Sequence, residues 1–308
     1  MDKLVLLIVK PTTLEQEELL IAGNSQRFWL SLDNTVFFKY HKPDNMTRIS
    51  VSMLTIISCC LLCFSNCKPE EPELPAIRTY TDIQEDFANI NIAVGVHDES
   101  IEFVNNINWN FRVIAPDIVA GEMYPLVIHL HGASGGSEDA HKATECYAEP
   151  GFEDLETFIL SPNGGSLLWN AFENQEMVIN LILLARDFWP VDPDKIVVTG
   201  YSNGGNGSWF FGETQPELFS AAIPMASSYS TIHTDGSTRL MPIPMYCIHG
   251  KNDELFPLAE TEEWINQTIN VGSDVTFVVA EGLGHYEPCS YVDYLKDAVT
   301  WLTDVVWQ

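Results

Sequence analysis

Six short apolar runs after residue 120 are separated by longer segments compatible with helices. The runs are Tyr124–Gly132, Thr157–Gly164, Lys195–Gly200, Ala221–Ser227, Pro244–Gly250 and Val275–Ala280. Most of them lack alternation of apolar and polar residues, which is typical of parallel strands covered on both faces. The intervening helices are predicted at Met177–Phe188, Gly207–Thr214, Leu258–Ile269 and Tyr291–Val306. This order predicts an α/β fold with a doubly wound, mostly parallel sheet in a single domain.

One further run has a different pattern. Ile107–Pro116, "INWNFRVIAP", alternates apolar and polar residues more regularly than the others. Such alternation is typical of an antiparallel strand with one solvated face. We therefore predict an antiparallel strand at one edge of the sheet.

The first 78 residues differ from the rest of the chain. Met46 opens a segment in which Arg48 precedes the apolar stretch Val51–Phe64, too short for a comfortable membrane span. Cys67 then begins an acidic, proline-rich run, as in a bacterial lipoprotein signal, although Asn66 is unusual before the lipid-bearing cysteine and Cys60 is an alternative. The predicted divisions are an upstream extension of uncertain origin (1–45), a lipoprotein-type signal (46–67), a tether (68–78) and the catalytic domain (79–308).

Net charge constrains the partners of the chain. The formal net charge is −28, and residues 68–308 carry all of it, with nine Lys and Arg residues against 37 Asp and Glu residues. A surface of this sign repels phosphate backbones, so nucleic acid is not expected as a partner. The signal segment predicts an exported protein that meets the membrane only through its lipid anchor.

A serine lies among glycines directly after one of the predicted strands. In "KIVVTGYSNGG", Gly200 and Gly204 flank Ser202 at two residues on either side, and a helix-compatible stretch follows. G-x-S-x-G between a strand and a helix indicates a nucleophile elbow, a turn so sharp that side chains at the flanking positions would collide with neighbouring elements. Ser202 is therefore the candidate nucleophile.

A serine hydroxyl needs a base, and the base needs a carboxylate to orient it. Asp253 follows the strand that ends at Gly250, and His285 lies in a loop after the next strand. Because the carboxyl ends of parallel strands meet at one edge of a sheet, the order Ser202, Asp253, His285 predicts a catalytic triad. The less well-placed alternatives are Asp235, His233, Glu254 and His249.

The oxyanion formed during acyl transfer needs donors placed in advance. We assign them to the backbone N–H groups of Asn203, the residue after the nucleophile, and Ala133, with Gly132 as the alternative to Ala133. Ala133 lies in the small-residue loop "HGASGGSED" after the first apolar run. His131 is expected to shape this loop and His129 to lie in the core.

Several segments together resemble the α/β-hydrolase esterases. They are "YPLVIHLHGASGG", "VDPDKIVVTGYSNGG", "PELFSAAIPMAS", "IPMYCIHGKNDELFP" and "GLGH". The resemblance covers roughly residues 107–306 and extends to feruloyl and acetyl-xylan esterases and polyhydroxybutyrate depolymerase-like esterases. It implies the α/β-hydrolase fold, the triad named above and no metal or organic cofactor. The stretch between the elbow helix and Asp253 is too short for a large cap domain, so an open site is expected.

Some residues near these motifs are candidates for substrate contact or cross-linking. Trp169, Tyr201 and Tyr286 are predicted to contact the substrate. In an oxidising compartment Cys146 and Cys289 are candidates for a disulfide, whereas Cys247 lies in a strand and is expected to be a buried free thiol.

These features predict a serine esterase that acts on acetyl or feruloyl esters of polysaccharide through an acyl-enzyme. Two alternatives remain open at this point. One is a peptidase of the same fold, which would release an amine, and the other is a lipid-anchored binding protein without catalysis. Because fold does not fix function, the choice depends on the site.

Overall fold

The computed structural model describes residues 78–104 and 106–308, which lie in one compact unit. Its centre is an eight-stranded sheet in the order β1-β2-β4-β3-β5-β6-β7-β8. The strands are β1 Gly95–Glu102, β2 Asn108–Ala115, β3 Tyr124–Leu130, β4 Phe158–Pro162, β5 Val191–Tyr201, β6 Ala221–Met225, β7 Met245–Gly250 and β8 Val275–Ala280. The five pairings from β4 across to β8 are parallel, and β1 and β2 pair antiparallel. The predicted α/β class and mostly parallel sheet are confirmed.

The predicted position of the edge strand is wrong by one strand. The run Ile107–Pro116 does form an antiparallel strand, β2, but β2 pairs with β4 on one side and with β1 on the other. The edge strand is β1, "GVHDESIE", in which Ile101 is the one fully buried residue. Its charged and polar residues gave no apolar pattern, because an edge strand packs few of its side chains.

Six α-helices of the described residues pack around the sheet. They are α1 Tyr80–Ala88, α2 Ala148–Gly151, α3 Phe172–Phe188, α4 Asn203–Thr214, α5 Leu258–Asn270 and α6 Val292–Trp301, which continues as a π-helical turn, Leu302–Val306. The four predicted helices are present, and α3 and α4 each begin earlier than expected. Helix α1 was not predicted, although Thr79 and Asp82 form a capping box at its start.

The two faces of the sheet carry separate apolar clusters. Along β3, Leu126, Ile128 and Leu130 belong to one cluster, while Val127 belongs to the other. Along β5 the alternation is the same, with Ile196 and Val198 on one face and Val197 on the opposite face. Both faces of the sheet are therefore buried at β3 and β5, which explains why the sequences of these strands are continuous apolar runs.

No helix lies between β6 and β7. The chain there forms a loop with a single bridge between Ile232 and Thr238. The described residues between β6 and β7 thus contain no helical cap, in line with the short stretch expected between the elbow helix and Asp253. Among residues 78–104 and 106–308, no helix is long and apolar enough to cross a membrane. The predicted signal, the anchor Cys67 and the extension 1–45 lie outside the described residues.

Candidate active site

Ser202 occupies a strained turn between β5 and α4. Its φ of 56° and ψ of −117° are unusual for a residue with a side chain. A Cβ on Gly204 would lie 1.9 Å from the carbonyl oxygen of Leu130, and one on Gly200 would lie 2.5 Å from Gly204. The glycines therefore let the turn pass this close to β3, and the Ser202 side chain stays partly exposed at the end of the sheet.

The structure brings Ser202, His285 and Asp253 into one hydrogen-bonded line. His285 Nε2 lies 2.9 Å from Ser202 Oγ, and His285 Nδ1 lies 2.9 Å from Asp253 Oδ2. A carboxylate accepts hydrogen bonds, so Nδ1 carries the proton and Nε2 accepts from the serine hydroxyl. This tautomer is the one that a general base at Ser202 requires.

Both oxygens of the Asp253 carboxylate accept hydrogen bonds. Its Oδ1 accepts hydrogen bonds from the backbone N–H groups of Leu255 and Phe256, and its side chain has no exposed surface. His249, considered above as an alternative, donates from Nε2 to the Phe256 carbonyl and lies 3.8 Å from Asp253 Oδ2. Burial lowers the pKa of His249, so it lies beside the triad as a neutral group.

The loop that carries His285 is fixed by four hydrogen bonds from side chains. The Tyr201 hydroxyl donates to the His285 carbonyl, and the Glu254 carboxylate accepts from the His285 N–H. Tyr291 donates to the Gly284 carbonyl, and the Glu287 carboxylate accepts from the Gly284 N–H. Burial raises the pKa of both tyrosines, which keeps their hydroxyls protonated as donors.

The loop after β3 passes directly beside the nucleophile. A Cβ on Gly132 would lie 3.7 Å from Ser202 Cβ, so the backbone that leads into Ala133 borders the serine. Asn203, the first residue of α4, follows Ser202 directly. The two backbone segments chosen as oxyanion donors therefore flank the same hydroxyl, and a helix N-terminus favours the negative charge that would form there.

His131 braces this loop, as predicted. Its Nδ1 donates to the Gly132 carbonyl, and its Nε2 accepts from the Gly164 N–H. Trp169 adds a hydrogen bond from its indole N–H to the His131 carbonyl. Burial lowers the pKa of His131, in agreement with a ring whose Nε2 serves as an acceptor.

Comparison with known families points to one fold. Residues 169–302 match the family model for phospholipases and carboxylesterases. A thermostable esterase superposes with a TM-score of 0.57 at 23% identity, covering 68% of this chain and 62% of the esterase. The chain has the α/β-hydrolase fold. The expected resemblance to α/β-hydrolase esterases is confirmed at the level of the fold.

Structures with lower sequence identity share this fold. A truncated carbohydrate esterase from gut microbiota gives a TM-score of 0.56 at 16% identity, covering 70% of this chain and 98% of its own. A ferulic acid esterase gives 0.55 at 18% identity, with coverage of 69% and 99%. Among curated proteins, Protein usf of Aquifex pyrophilus is 26% identical over 146 residues, 42% of this chain. The matched regions span only 62% of that protein and of the thermostable esterase.

The residues predicted to contact substrate differ in exposure. Tyr286 is 72% exposed beside His285, so its side chain remains free for contact. Trp169 and Tyr201 are only 1% and 5% exposed, and both hydrogen-bond to backbone carbonyls of the site loops. Their surroundings indicate that they position the oxyanion loop and the histidine loop rather than offer surface to a ligand.

The remaining candidates have structural surroundings. His233 and Asp235 lie in an exposed loop, where Asp235 bonds to Ser237. His129 is buried between Ser161 and Tyr147, as expected of a core residue. Among the described residues, no group of three or more His, Cys, Asp or Glu side chains is arranged to hold a metal ion.

A disulfide joins two distant parts of the chain. Cys146 and Cys289, the candidate pair, are bonded across a sequence separation of 143 residues, and Cys247 is a buried free thiol, as predicted. Cys289 lies in the short 3-10 helix Pro288–Tyr291 that follows the His285 loop. The bond therefore ties the segment after the histidine to the segment that leads into α2.

Proposed function

We propose that this chain is a serine esterase that hydrolyses carboxylic esters through an acyl-enzyme. The observation that carries the proposal is the contact of His285 Nε2 with Ser202 Oγ at 2.9 Å, on a serine held at positive φ. A serine within reach of an oriented imidazole is the arrangement that nucleophilic acyl transfer requires.

Each residue of the site has a role in the proposed mechanism. Ser202 Oγ attacks the ester carbonyl while His285 Nε2 takes its proton, and Asp253 stabilises the imidazolium that forms. The N–H groups of Ala133 and Asn203 donate hydrogen bonds to the carbonyl oxygen as it becomes negatively charged. His285 then gives the proton to the leaving alcohol. In the second half of the reaction His285 takes a proton from water, which attacks the acyl-enzyme carbonyl. His285 then returns the proton to Ser202 as the acid is released.

Acetyl or feruloyl esters of polysaccharide are the substrates we propose. The segment between β6 and β7 contains no inserted helix, which leaves room for a bulky or polymeric alcohol. Similarity in fold to a carbohydrate esterase and to a ferulic acid esterase is in line with this substrate class. A panel of acetylated and feruloylated sugars assayed with the purified chain tests it, and a preference for long-chain acyl esters would contradict it.

Ser202→Ala is the direct test of the mechanism. We expect p-nitrophenyl acetate hydrolysis to fall by roughly 10⁴-fold or more, because the acyl-enzyme can no longer form. Ser237→Ala, in an exposed loop, is the matched control and should keep wild-type turnover. Retained esterase activity in Ser202→Ala would remove Ser202 from the mechanism.

A second substrate separates the alternatives. A peptide anilide carries an amine leaving group, so faster turnover of the anilide than of the acetate would favour a peptidase. Turnover of neither compound would favour a binding protein that keeps the fold without catalysis. The oriented triad is the feature that makes us expect ester turnover.

We also propose that the protein is exported and anchored to a membrane through Cys67. The supporting observations are the signal-like sequence 46–67 and the disulfide Cys146–Cys289, which is typical of proteins in oxidising compartments. In a bacterial host, labelled fatty acid should enter the wild type and Cys60→Ser but not Cys67→Ser. Incorporation lost only in Cys60→Ser would instead place the anchor at Cys60.

A further inference from the structure

A cleft with mixed polar and apolar walls lies beside Asn203, the residue that follows the nucleophile. Its volume is about 380 Å³, and it is bounded by the first turns of α4 and by the loop after β6. Asn170, Asn203, Asn206 and Ser228 bring amide and hydroxyl groups to its wall, together with the aromatic side chain of Phe210. No acidic side chain lines it. Its surface therefore offers hydrogen-bond donors and an aromatic side chain together.

Arg239 is the one ionised residue in the lining, and its guanidinium is held in place. Nε and Nη2 bond to the carboxylate of Glu213, and Nη2 also donates to the Ser230 carbonyl at 3.0 Å. The Arg239 side chain lines the cleft and is 27% exposed, so a ligand in the cleft can reach it. A guanidinium held in this way loses little freedom when it binds a ligand.

Glu213 neutralises this arginine and is itself fully engaged. It lies in α4 with 12% of its side chain exposed, and it also accepts a hydrogen bond from the Tyr229 hydroxyl. The Tyr229 ring stacks on Trp209 with the ring planes 5° apart, which fixes the other end of the network. The cleft therefore offers a directional donor without a net positive charge.

These features favour one class of ligand. A chain with a net charge of −28 repels anions, and Arg239 is already neutralised, so an anionic group gains little here. An alkyl chain would leave the amide and hydroxyl groups without partners, which carries a penalty. An uncharged, polyhydroxylated ring satisfies the donors with its oxygens and covers the aromatic side chain with its C–H groups.

We propose that this cleft binds the neutral sugar whose hydroxyl carries the ester, and that Arg239 is a specificity-determining residue. The sugar is then the leaving alcohol, with its ester carbonyl at Ser202. The arginine acts by donating from its guanidinium to a ring oxygen or hydroxyl of the sugar. This inference rests on the proposed esterase function. It adds that the substrate is selected by the alcohol side of the ester.

The test varies the alcohol and keeps the acetyl group constant. Substrates are the mono-O-acetyl esters of methyl β-xylopyranoside and, as a ring of equal size without hydroxyls, cyclohexyl acetate. We expect the wild type to prefer the sugar ester in kcat/KM. Arg239→Gln should lower the ratio of the two kcat/KM values roughly tenfold, because one charge-assisted hydrogen bond is lost. Lys195→Gln removes the same charge near the amino end of β5 and should keep the ratio.

A second variant guards against misfolding. Arg239→Gln leaves Glu213 without its partner, so Glu213→Gln combined with Arg239→Gln restores a neutral pair that can still hydrogen-bond. The same fall in the ratio is expected in this double variant if it folds. An unchanged ratio in both variants, or a wild type that prefers cyclohexyl acetate, would overturn the inference.

Two further substrates separate the possible failures. An acetylated methyl glucuronoside should be hydrolysed no better than the xyloside, and a strong preference for it would mean that the cleft selects an anion. p-Nitrophenyl acetate reports on the esterase itself. If the wild type fails on every ester, the proposed function falls with the inference, whereas turnover without sugar preference removes only the sugar site.

Discussion

At the scale of single residues, the site depends on a backbone that most side chains do not tolerate. Ser202 has a φ of 56°, and Ala226 at the end of β6 has a φ of 42°. Such conformations cost about 1–3 kcal/mol each and persist where neighbouring bonds enforce them. Ser202 N–H donates to the Met225 carbonyl and Ala226 N–H to the Ile248 carbonyl. The strain at the nucleophile is thus stabilised by the neighbouring strands β6 and β7.

Gly204→Ala tests how closely the elbow is packed. The new Cβ would lie 1.9 Å from the Leu130 carbonyl oxygen, a backbone atom that cannot move aside. We expect a loss of at least about 3 kcal/mol in the free energy of unfolding, measured with urea, or failure to fold. Gly236→Ala is the control, because Gly236 has a φ of +85° but nothing within 4 Å. It should lose only about 1 kcal/mol, from backbone strain alone.

At the scale of elements, the sequence predicted the strands better than the contacts between loops. β3 to β7 contain runs of buried residues and β8 is largely apolar although only partly buried, so these strands were visible in the sequence, whereas β1 packs few side chains and was missed. The triad was predictable because the ends of β5, β7 and β8 meet at one edge. The bond from Tyr201 to the His285 carbonyl was not, because it joins residues 84 positions apart and leaves no local pattern. Glu254, considered only as a rival acid, proves to hold the His285 N–H.

Removing the disulfide should weaken the histidine loop as well as the fold. Cys289 lies in the turn after His285, and its bond to Cys146 closes a long stretch of chain. We expect Cys146→Ser with Cys289→Ser to lower the free energy of unfolding by about 2–5 kcal/mol. Because the turn loses its anchor, kcat should fall more than KM rises.

The reductant dithiothreitol provides the control for this prediction. It should lower the stability of the wild type toward that of the double variant and leave the double variant unchanged. Equal unfolding midpoints for oxidised wild type, reduced wild type and the double variant would show that the cross-link contributes nothing to stability.

At the scale of the whole molecule, acid should destabilise this protein through histidines that are buried in the neutral form. Burial lowers the pKa of His129 to about 3, and it also lowers the pKa values of His131 and His249. In the unfolded chain these rings take up protons below their usual pKa of 6.5. The unfolded state therefore binds more protons, and stability is lost as the pH falls from 6.5 toward 3.

His129→Gln isolates the largest of these contributions. Below pH 6 the wild-type ring should remove about 1.4 kcal/mol of unfolding free energy per pH unit, so about 2 kcal/mol is lost by pH 5. A glutamine can still hydrogen-bond to Ser161 and Tyr147 but does not titrate. The slope of unfolding free energy against pH should therefore decrease by about 1.4 kcal/mol per pH unit, whatever the change in absolute stability. His233→Gln, in an exposed loop, should keep the wild-type slope. Equal slopes in His129→Gln and the wild type between pH 4 and 6 would mean that His129 takes up its proton without unfolding. The acid sensitivity would then have to come from His131, His249 or the carboxylates.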